Sequence, residues 1–259
     1  GTAEWAAACG LPWVRLIERT TDRGLSQAVC RGMSEARGDV LVVMDADLSH
    51  PPDAIPDLLA AVNAGAEFAI GSRYVAGGST AGDWGGFRRL NSLVATILAR
   101  PFTNVRDPMS GFFAIPRSVY HRGLPHLNPI GYKIGLELIV KCGCRTIAEI
   151  PIHFADRRFG QSKLSFKEQL RYLQHLRRLL IYKYGTWAHL AHFLFVGALG
   201  TLVNLAVVTA LLRSGVGDSL AIGIAIGISM LFNFVLHRRL SFSYARFRPL
   251  WPQLAGFVV

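Results

Sequence analysis

Cysteine is scarce in this 259-residue sequence, and nucleic-acid-binding motifs, internal repeats and low-complexity tracts are absent. The four cysteines, Cys9, Cys30, Cys142 and Cys144, lack the spacing of a zinc site, so we expect reduced, structural thiols in a protein that faces the cytosol. The formal net charge of +11 therefore favours an anionic membrane surface or a phosphorylated substrate as the partner, and we expect no nucleic acid to bind.

The two ends of the sequence lack features of a complete chain. It begins at Gly1 without an initiator Met or a signal peptide, and an alanine-rich helix that ends at Gly10 has no β-strand before it. We therefore expect that an upstream strand is missing. An apolar segment that starts at Trp251 stops at Val259, which predicts a truncated third membrane span.

Acidic and strongly basic side chains are absent from a long apolar segment near the C-terminus. Residues Trp187–Leu212 contain only histidines as possible charges, and a second apolar segment runs from about Val216 to Leu236. Each is long enough to cross a bilayer, which takes about 20 helical residues. Basic residues flank the pair, Arg238 and Arg239 among them, so the positive-inside rule predicts that both outer flanks and the N-terminal domain are cytoplasmic.

Polar and small residues interrupt these apolar segments. They are Asn204, Asn233 and the pair Gly223-x-x-x-Gly227. Such residues are typical of contacts between membrane helices, so we expect these positions to face protein rather than lipid.

The segment Leu164–Tyr184 is predicted to be an amphipathic helix. Its remaining surface is rich in Lys and Arg, which favours a position on an anionic membrane surface, with an ordinary core-facing helix as the alternative. The predicted apolar stripe consists of Leu170, Leu173, Leu176, Leu180 and Tyr184.

The most informative segment is Gly38–Pro52. Five apolar residues, Val40–Met44, predict a strand that is buried on both faces of a parallel sheet. Asp45 and Asp47 follow at its carboxyl end, where ligands bind in open α/β sheets. Alternate residues point the same way, so both carboxylates can reach one divalent cation or one diphosphate. The alternative is a turn that ends the strand and caps a helix.

The neighbouring segments alternate between predicted strands and helices, which indicates an α/β fold with a parallel sheet and right-handed crossovers. The predicted strands are Val14–Ile17, Glu67–Tyr74 and Ile147–Phe154, and the predicted helices are Gln27–Ala36, Pro52–Ala64, Arg88–Leu98 and Lys133–Lys141.

Two further polar segments are candidates for substrate binding. Asp107 precedes Ser110-Gly111-Phe112 at the start of a strand, an arrangement that is also common in simple turns. The basic, glycine-containing loop Arg157–Leu164 offers guanidinium, ammonium and hydroxyl donors, which suit a phosphate.

Four motifs in order resemble glycosyltransferase family 2, and within it the polyprenyl-phosphate sugar transferases of the dolichol-phosphate mannose synthase type. The resemblance covers roughly Gly1–Leu164. The C-terminal segments resemble a GtrA-like membrane domain, with Asn233-Phe234 and Arg239-x-x-Phe242 as its hallmark. The four motifs are Asp45-Ala46-Asp47-Leu48 with His50-Pro51-Pro52, Gly71-Ser72-Arg73-Tyr74, Asp107 with Ser110-Gly111-Phe112, and Arg157-x-x-Gly160-x-Ser162-Lys163-Leu164.

The resemblance implies a fold and a division into domains. Residues 1–163 are expected to form a GT-A (Rossmann-like) glycosyltransferase domain without its N-terminal strand. Residues 164–186 are expected to form the amphipathic helix at the membrane interface, and residues 187–259 a truncated GtrA-like transmembrane domain.

The resemblance also implies roles for individual residues. Asp45 and Asp47 bind Mg²⁺ or Mn²⁺ and the donor diphosphate, and Ser49 is a third candidate metal ligand at a position where the family often has Gln. Asp107 is a candidate catalytic residue beside Asp45 and Asp47. Arg73 is assigned to both donor and acceptor. The other candidate ligands of the acceptor phosphate are Arg88, Arg157, Ser162 and Lys163.

The activity that the resemblance implies is an inverting, metal-dependent transfer of mannose from GDP-mannose to dolichyl or polyprenyl phosphate at the cytoplasmic membrane face. Two alternatives stay open: the same reaction with another sugar, such as glucose from UDP-glucose, and a catalytically inactive lipid-binding or translocation protein.

Overall fold

The computed structural model describes residues 2–21, 24–80, 86–155, 166–241 and 252–253. The chain forms two compact units, Gly1–Leu179 and Leu180–Val259.

The first unit alternates helices and strands. Pro52 and Pro56 lie at the starts of a 3₁₀ turn and of α3, where the missing proline N–H costs no hydrogen bond, and Gly65 follows α3 with a φ of +101°. The helices are α1 (Thr2–Ala8), α2 (Leu25–Glu35), α3 (Ile55–Asn63), α4 (Gly86–Ala99), α5 (Arg117–Gly123), α6 (Ile134–Lys141) and α7 (Phe166–Tyr184), the last of which continues into the second unit. The strands are β1 (Val40–Val43), β2 (Phe68–Ser72), β3 (Ser79–Thr80), β4 (Phe113–Pro116), β5 (Ile147–Pro151) and β6 (His153–Phe154).

The central sheet is mixed, so the prediction of a parallel sheet is confirmed for β1, β2 and β5, which run in one direction, and was wrong for β4. Its order is β1-β4-β2-β5, with β2 and β5 parallel and β4 antiparallel to both of its neighbours. Ala114 lies opposite Val42 on one side and Ala69 on the other. The segment before β4 is held at the carboxyl end of β2, where Asp107 bonds Arg73, so β4 has to run back through the sheet.

Apolar side chains cover both faces of this sheet. One face carries the larger core, with Leu41, Phe68, Ile70, Phe113, Ile115 and Leu138, and the other packs on α3 through Leu58, Ala69, Phe112, Ala114 and Ile152. β1 is a terminal strand of the described sheet, and its Val42 is 36% exposed. Met44, on the same face, is 38% exposed, so the prediction that this segment is buried on both faces was wrong for two positions.

The predicted strand Val14–Ile17 was also wrong. These residues have no regular structure, and the side chains of Val14, Leu16 and Ile17 are exposed. Arg15 instead hydrogen-bonds the carbonyl oxygen of Glu35 at 2.9 Å. A short β-propensity segment forms a strand only where a partner strand accepts it, and none of the described residues pairs with this one.

Helix α7 forms as predicted, and its predicted apolar stripe is divided between buried and exposed positions. Its position on a membrane surface stays a prediction. Leu170 and Leu173 are 45% and 51% exposed, whereas His175, Leu176 and Leu179 are buried. A histidine can take a buried position here because Glu137 bonds it.

The second unit contains α8 (Thr186–Arg213) and α9 (Asp218–Leu236), followed by a π-helical turn over His237–Ser241. Both helices are long and apolar enough to cross a membrane. Asn204 donates a hydrogen bond to Ser229 at 3.3 Å, and Gly200 lies against the side chain of Asn233, so both asparagines are at helix contacts as predicted.

The prediction for Gly223 and Gly227 was wrong for the described part of this unit. A Cβ added at either glycine would have no atom of the described residues within 4 Å, and the buried small residues of α9 are Ala221, Ala225 and Ser229. The face that packs on α8 is therefore turned away from the two glycines.

Candidate active site

A cleft of about 1120 Å³ opens beside the carboxyl ends of β1 and β2. Asp45, Asp47, Arg73 and Lys133 all line it, together with side chains of α4 and α7. The crossovers of an α/β fold bring strand ends to one edge of the sheet, so residues that are far apart in sequence share this cleft.

The turn from Asp45 to His50 is locked by its own side chains. The Asp45 N–H donates to His50 Nδ1 at 3.2 Å, and the His50 ring stacks on Phe112 with 5.2 Å between ring centroids. Leu48 has a φ of +63°, which is strained for a residue with a branched side chain. This backbone path turns the chain sharply between the two acidic residues and His50.

Ser49 holds the side chain of Asp47. Its N–H and its hydroxyl both donate to Asp47 Oδ1, at 3.1 and 2.5 Å. Ser49 is fully buried, whereas Asp45 and Asp47 are half-buried at the cleft. The geometry gives Ser49 an orienting role, and its assignment as a metal ligand stays a prediction.

The acid pair fits a divalent cation that takes most of its ligands from elsewhere. Within the described ranges, no group of three or more His, Cys, Asp and Glu side chains could hold a metal ion. Mg²⁺ and Mn²⁺ prefer oxygen ligands, and Mg²⁺ commonly keeps waters and substrate phosphates beside one or two carboxylates. A cation that arrives with a phosphorylated substrate would need no third carboxylate, and the assignment of Asp45 and Asp47 as its ligands stays a prediction.

Arg73 is held in a fixed orientation by Asp107. Its Nε and Nη2 donate to the two carboxylate oxygens of Asp107, each at 2.7 Å, and the side chains are 10% and 0% exposed. Burial alone would lower the pKa of Arg73, but the hydrogen bonds to Asp107 and the charges of Asp107 and Tyr74 together raise this pKa. Asp107 is itself supported by Glu149 of β5, which accepts from its N–H at 3.3 Å.

This geometry bears on the predicted catalytic role of Asp107. Both of its oxygens accept hydrogen bonds from the guanidinium of Arg73, and its side chain is fully buried. The arrangement favours a positioning role for Asp107, and its assignment as an acid or base stays a prediction.

Lys133 is a site residue that the sequence reasoning missed. It lies in the cleft as the N-cap residue of α6, and burial, followed by the charge of Arg73, lowers its pKa to about 8, although Asp107 and Asp45 oppose this. A signal was present in the sequence. The helix dipole disfavours a cation at the helix N-terminus. Lys133 at the start of a predicted helix therefore indicates a role in binding rather than in helix stability.

Comparison with known proteins agrees with the motifs. Residues 1–124 match glycosyl transferase family 2, and residues 192–259 match the GtrA/DPMS transmembrane domain. The chain is 39% identical over 248 residues to the dolichol-phosphate mannosyltransferase of Pyrococcus furiosus, an alignment that covers 94% of this chain and 69% of that protein. This chain belongs to glycosyl transferase family 2. The predicted family resemblance is thereby confirmed.

A second relative of this family 2 chain is also named a dolichol-phosphate mannosyltransferase. The chain is 49% identical over 175 residues to the dolichol-phosphate mannosyltransferase of Mycosarcoma maydis, which covers 67% of this chain and 60% of that protein. The chain thus spans well under the full length of the curated relatives it matches. A solved structure of glucosyl-3-phosphoglycerate synthase from Mycobacterium tuberculosis, with Mn²⁺ and UDP-glucose, aligns with a TM-score of 0.44 and 22% identity, over 64% of this chain and 56% of that one.

Not every predicted residue of the family 2 motifs can be placed. Arg157, Ser162 and Lys163 lie outside the described residues, and Arg88 is described only as part of the backbone of α4. Asp45, Asp47 and Arg73 do share the cleft, at the end of the sheet where the sequence predicts them.

Proposed function

We propose that this family 2 protein transfers mannose from GDP-mannose to dolichyl or polyprenyl phosphate, with inversion at the anomeric carbon and with Mg²⁺ or Mn²⁺. The observation that carries the proposal is that one cleft is lined by the acid pair Asp45 and Asp47, by the cations Arg73 and Lys133, and by apolar side chains. The relatives from Pyrococcus furiosus and Mycosarcoma maydis, both named dolichol-phosphate mannosyltransferases, support the same reaction.

The polar end of the cleft suits a nucleoside diphosphate. Asp45 and Asp47 would hold the cation, and this cation would supply charge neutralisation to the leaving diphosphate. Arg73 and Lys133 line the same space and add two positive charges. Asp107 pre-orients the Arg73 guanidinium, so little side-chain entropy is lost when a phosphate binds.

The apolar end suits an isoprenoid chain. Val94 and Leu98 of α4 and Leu173 of α7 line the cleft, and all three are exposed large apolar side chains. Burying such surface contributes about 25 cal/mol per Å², which makes a hydrocarbon an appropriate occupant. An acceptor lipid lying between these helices would place its phosphate beside Arg73 and Lys133.

The chemistry then requires little proton transfer. The acceptor phosphate is anionic and can attack the anomeric carbon directly, while the bond from that carbon to the diphosphate oxygen breaks. Positioning of the two substrates and stabilisation of diphosphate charge are the tasks left to the protein. One displacement inverts the configuration at the anomeric carbon.

The proposal includes an orientation in the membrane. Basic residues after α9, such as Arg238 and Arg239, favour the cytoplasmic side for that flank. Two spans return the chain to the side from which it entered, which would place the first unit in the cytoplasm too.

The test uses the protein in lipid nanodiscs with radiolabelled donors, polyprenyl phosphate and either Mg²⁺ or Mn²⁺. Transfer of label from GDP-mannose to lipid supports the proposal, and transfer only from UDP-glucose would replace the sugar and nucleotide. No transfer from any donor, by a folded protein that binds polyprenyl phosphate, would favour a lipid-binding protein.

Asp47→Asn is expected to lower transfer at least a hundredfold without loss of fold, because it removes one metal-binding charge at a half-buried position. Asp57→Asn, on the exposed face of α3, is the matched control and should retain full activity. Near-normal transfer by Asp47→Asn would contradict the assignment of the acid pair.

A further inference from the structure

A buried polar cluster joins α6 to α7 behind the cleft. Glu137 and Lys141 belong to α6, His175 belongs to α7, and all three are buried. Glu137 Oε1 accepts from Lys141 Nζ at 2.6 Å and from the Asn128 N–H at 2.7 Å, and Glu137 Oε2 pairs with His175 Nε2 at 2.7 Å.

The hydrogen bonds keep Glu137 ionised in this place. Burial would raise the pKa of Glu137, but the bonds from His175, Lys141 and the Asn128 N–H outweigh burial and lower it. Buried charge clusters of this kind are often no more stable than apolar residues of similar volume, because desolvation offsets the attraction between the charges. Stability alone therefore does not account for three ionisable groups in this position.

What the cluster does specify is how α7 lies against the rest of the unit. Leucine side chains can slide past each other at little cost, whereas His175 meets Glu137 in only one register of the two helices. Two more bonds agree with that register: the Tyr172 hydroxyl donates to the Ala95 carbonyl of α4 at 2.7 Å, and Arg178 Nη1 donates to Asn128 Oδ1 at 2.9 Å.

The register matters for the cleft because α7 forms one of its sides. Glu168, Gln169, Arg171, Tyr172 and Leu173 line the cleft directly before His175. On the other helix, Glu137 lies one turn after Lys133, whose side chain lines the polar end. The Glu137–His175 pair thus connects the helix that carries a phosphate-facing cation to the helix that faces the acceptor chain.

We infer that Glu137 and His175 are positioning residues that fix the register of α7 and thereby shape the acceptor side of the cleft. The inference rests on the proposed function for its kinetic consequence, but the register itself can be measured without turnover. Neither residue needs to touch a substrate.

The test compares two changes in the protein in nanodiscs. Glu137→Leu/Lys141→Leu/His175→Leu replaces the whole cluster by apolar side chains and leaves no unpaired buried charge, so the fold is retained. We expect its KM for polyprenyl phosphate to rise about tenfold, while its Kd for GDP-mannose changes by less than twofold. His175→Gln keeps an N–H donor near the position of Nε2, and its acceptor KM should stay within twofold of the unmodified protein.

Amide hydrogen exchange supplies the readout that does not depend on activity. Exchange over residues 168–179 should accelerate at least tenfold in the triple variant, with β2 and β4 unchanged. Arg31→Ala/Glu35→Ala removes an exposed i,i+4 pair on α2 and serves as the control that should alter neither measurement. If the triple variant does not fold, Glu137→Gln is judged by the same two measurements, because it removes the charge and keeps the shape.

The outcomes separate this inference from the proposed function. An unchanged acceptor KM together with unchanged exchange in α7 overturns the positioning role, even if the protein transfers mannose. Equal losses for donor and acceptor overturn it as well, since they indicate general destabilisation. If the unmodified protein transfers no sugar, the proposed function fails. Amide exchange in the triple variant still decides whether the cluster sets the register of α7, because faster exchange confined to α7 would support this role.

Discussion

The Arg73–Asp107 pair offers the sharpest test of how this site works, through Asp107→Asn. The substitution keeps the shape of the side chain but removes its charge. It leaves the guanidinium of Arg73 buried beside a neutral amide that can accept only one of the two bonds now made at 2.7 Å.

The expected cost follows from the burial of the pair. Breaking a buried ion pair costs about 3–5 kcal/mol. Since the amide oxygen still accepts one bond, we expect a loss of about 3 kcal/mol in the free energy of unfolding, or a fall in Tm of roughly 6–12 °C for a unit of this size. If Arg73 is misoriented by the same change, kcat/KM should fall roughly 30- to 150-fold, which corresponds to about 2–3 kcal/mol.

A double-mutant cycle distinguishes positioning from proton transfer. Arg73→Gln, Asp107→Asn and the double variant are compared in kcat/KM and in thermal unfolding. We expect the double variant to be no worse than Arg73→Gln alone, with a coupling energy of at least about 2 kcal/mol, because Asp107 acts through Arg73.

The control is an exposed pair in the same unit. Arg122 and Glu67 lie 2.8 Å apart with side chains that are 50% and 25% exposed, so Arg122→Gln should cost less than about 1 kcal/mol and leave transfer unchanged. Additive losses within about 0.5 kcal/mol, together with a thousandfold fall in kcat for a stable Asp107→Asn protein, would refute the positioning argument and favour an acid or base role.

Three further predictions address other parts of the molecule. Ser49→Ala removes the hydroxyl bond to Asp47 Oδ1 and leaves the bond from the backbone N–H, so the carboxylate is held less firmly. The Mn²⁺ concentration that gives half-maximal activity should then rise about tenfold while the acceptor KM is unchanged; equal changes in both would contradict this. Lys133 is charged below its pKa of about 8 and neutral above it, so kcat/KM for the donor should fall as pH rises through 8. If kcat/KM of Lys133→Arg falls at the same pH, Lys133 is not the cause. Gly200→Leu places a large side chain against Asn233, so the second unit should melt at a lower temperature in detergent, whereas Gly223→Leu should have little effect.

Local patterns were sufficient for several features of this protein. The apolar strand that leads into Asp45 and Asp47 is a property of consecutive residues, and so are the two long apolar helices. Whether these segments form strands or helices depends on side-chain periodicity and hydropathy within one segment, and both can be read from the sequence. The family motifs added the cleft residue Arg73, whose position after β2 the structure bears out.

Pairings between distant residues were decided only by the tertiary structure. Asp107 meets Arg73 across 34 positions, and His175 meets Glu137 across 38. Nothing in either segment specifies its partner, because the distance between them depends on the direction of each intervening strand and helix. The antiparallel course of β4 has the same origin, since periodicity identifies a strand but not the edge of the sheet at which the chain enters it.

Helix α7 depends on both the local sequence pattern and the tertiary structure. Its sequence alone determined that residues 166–184 form a helix with basic and apolar faces. The tertiary structure buries the face that carries His175, Leu176 and Leu179, where His175 pairs with Glu137 of α6, and leaves Leu173 exposed. A buried carboxylate needs hydrogen-bond donors more than it needs apolar contact, and that requirement becomes visible only when both helices are in place.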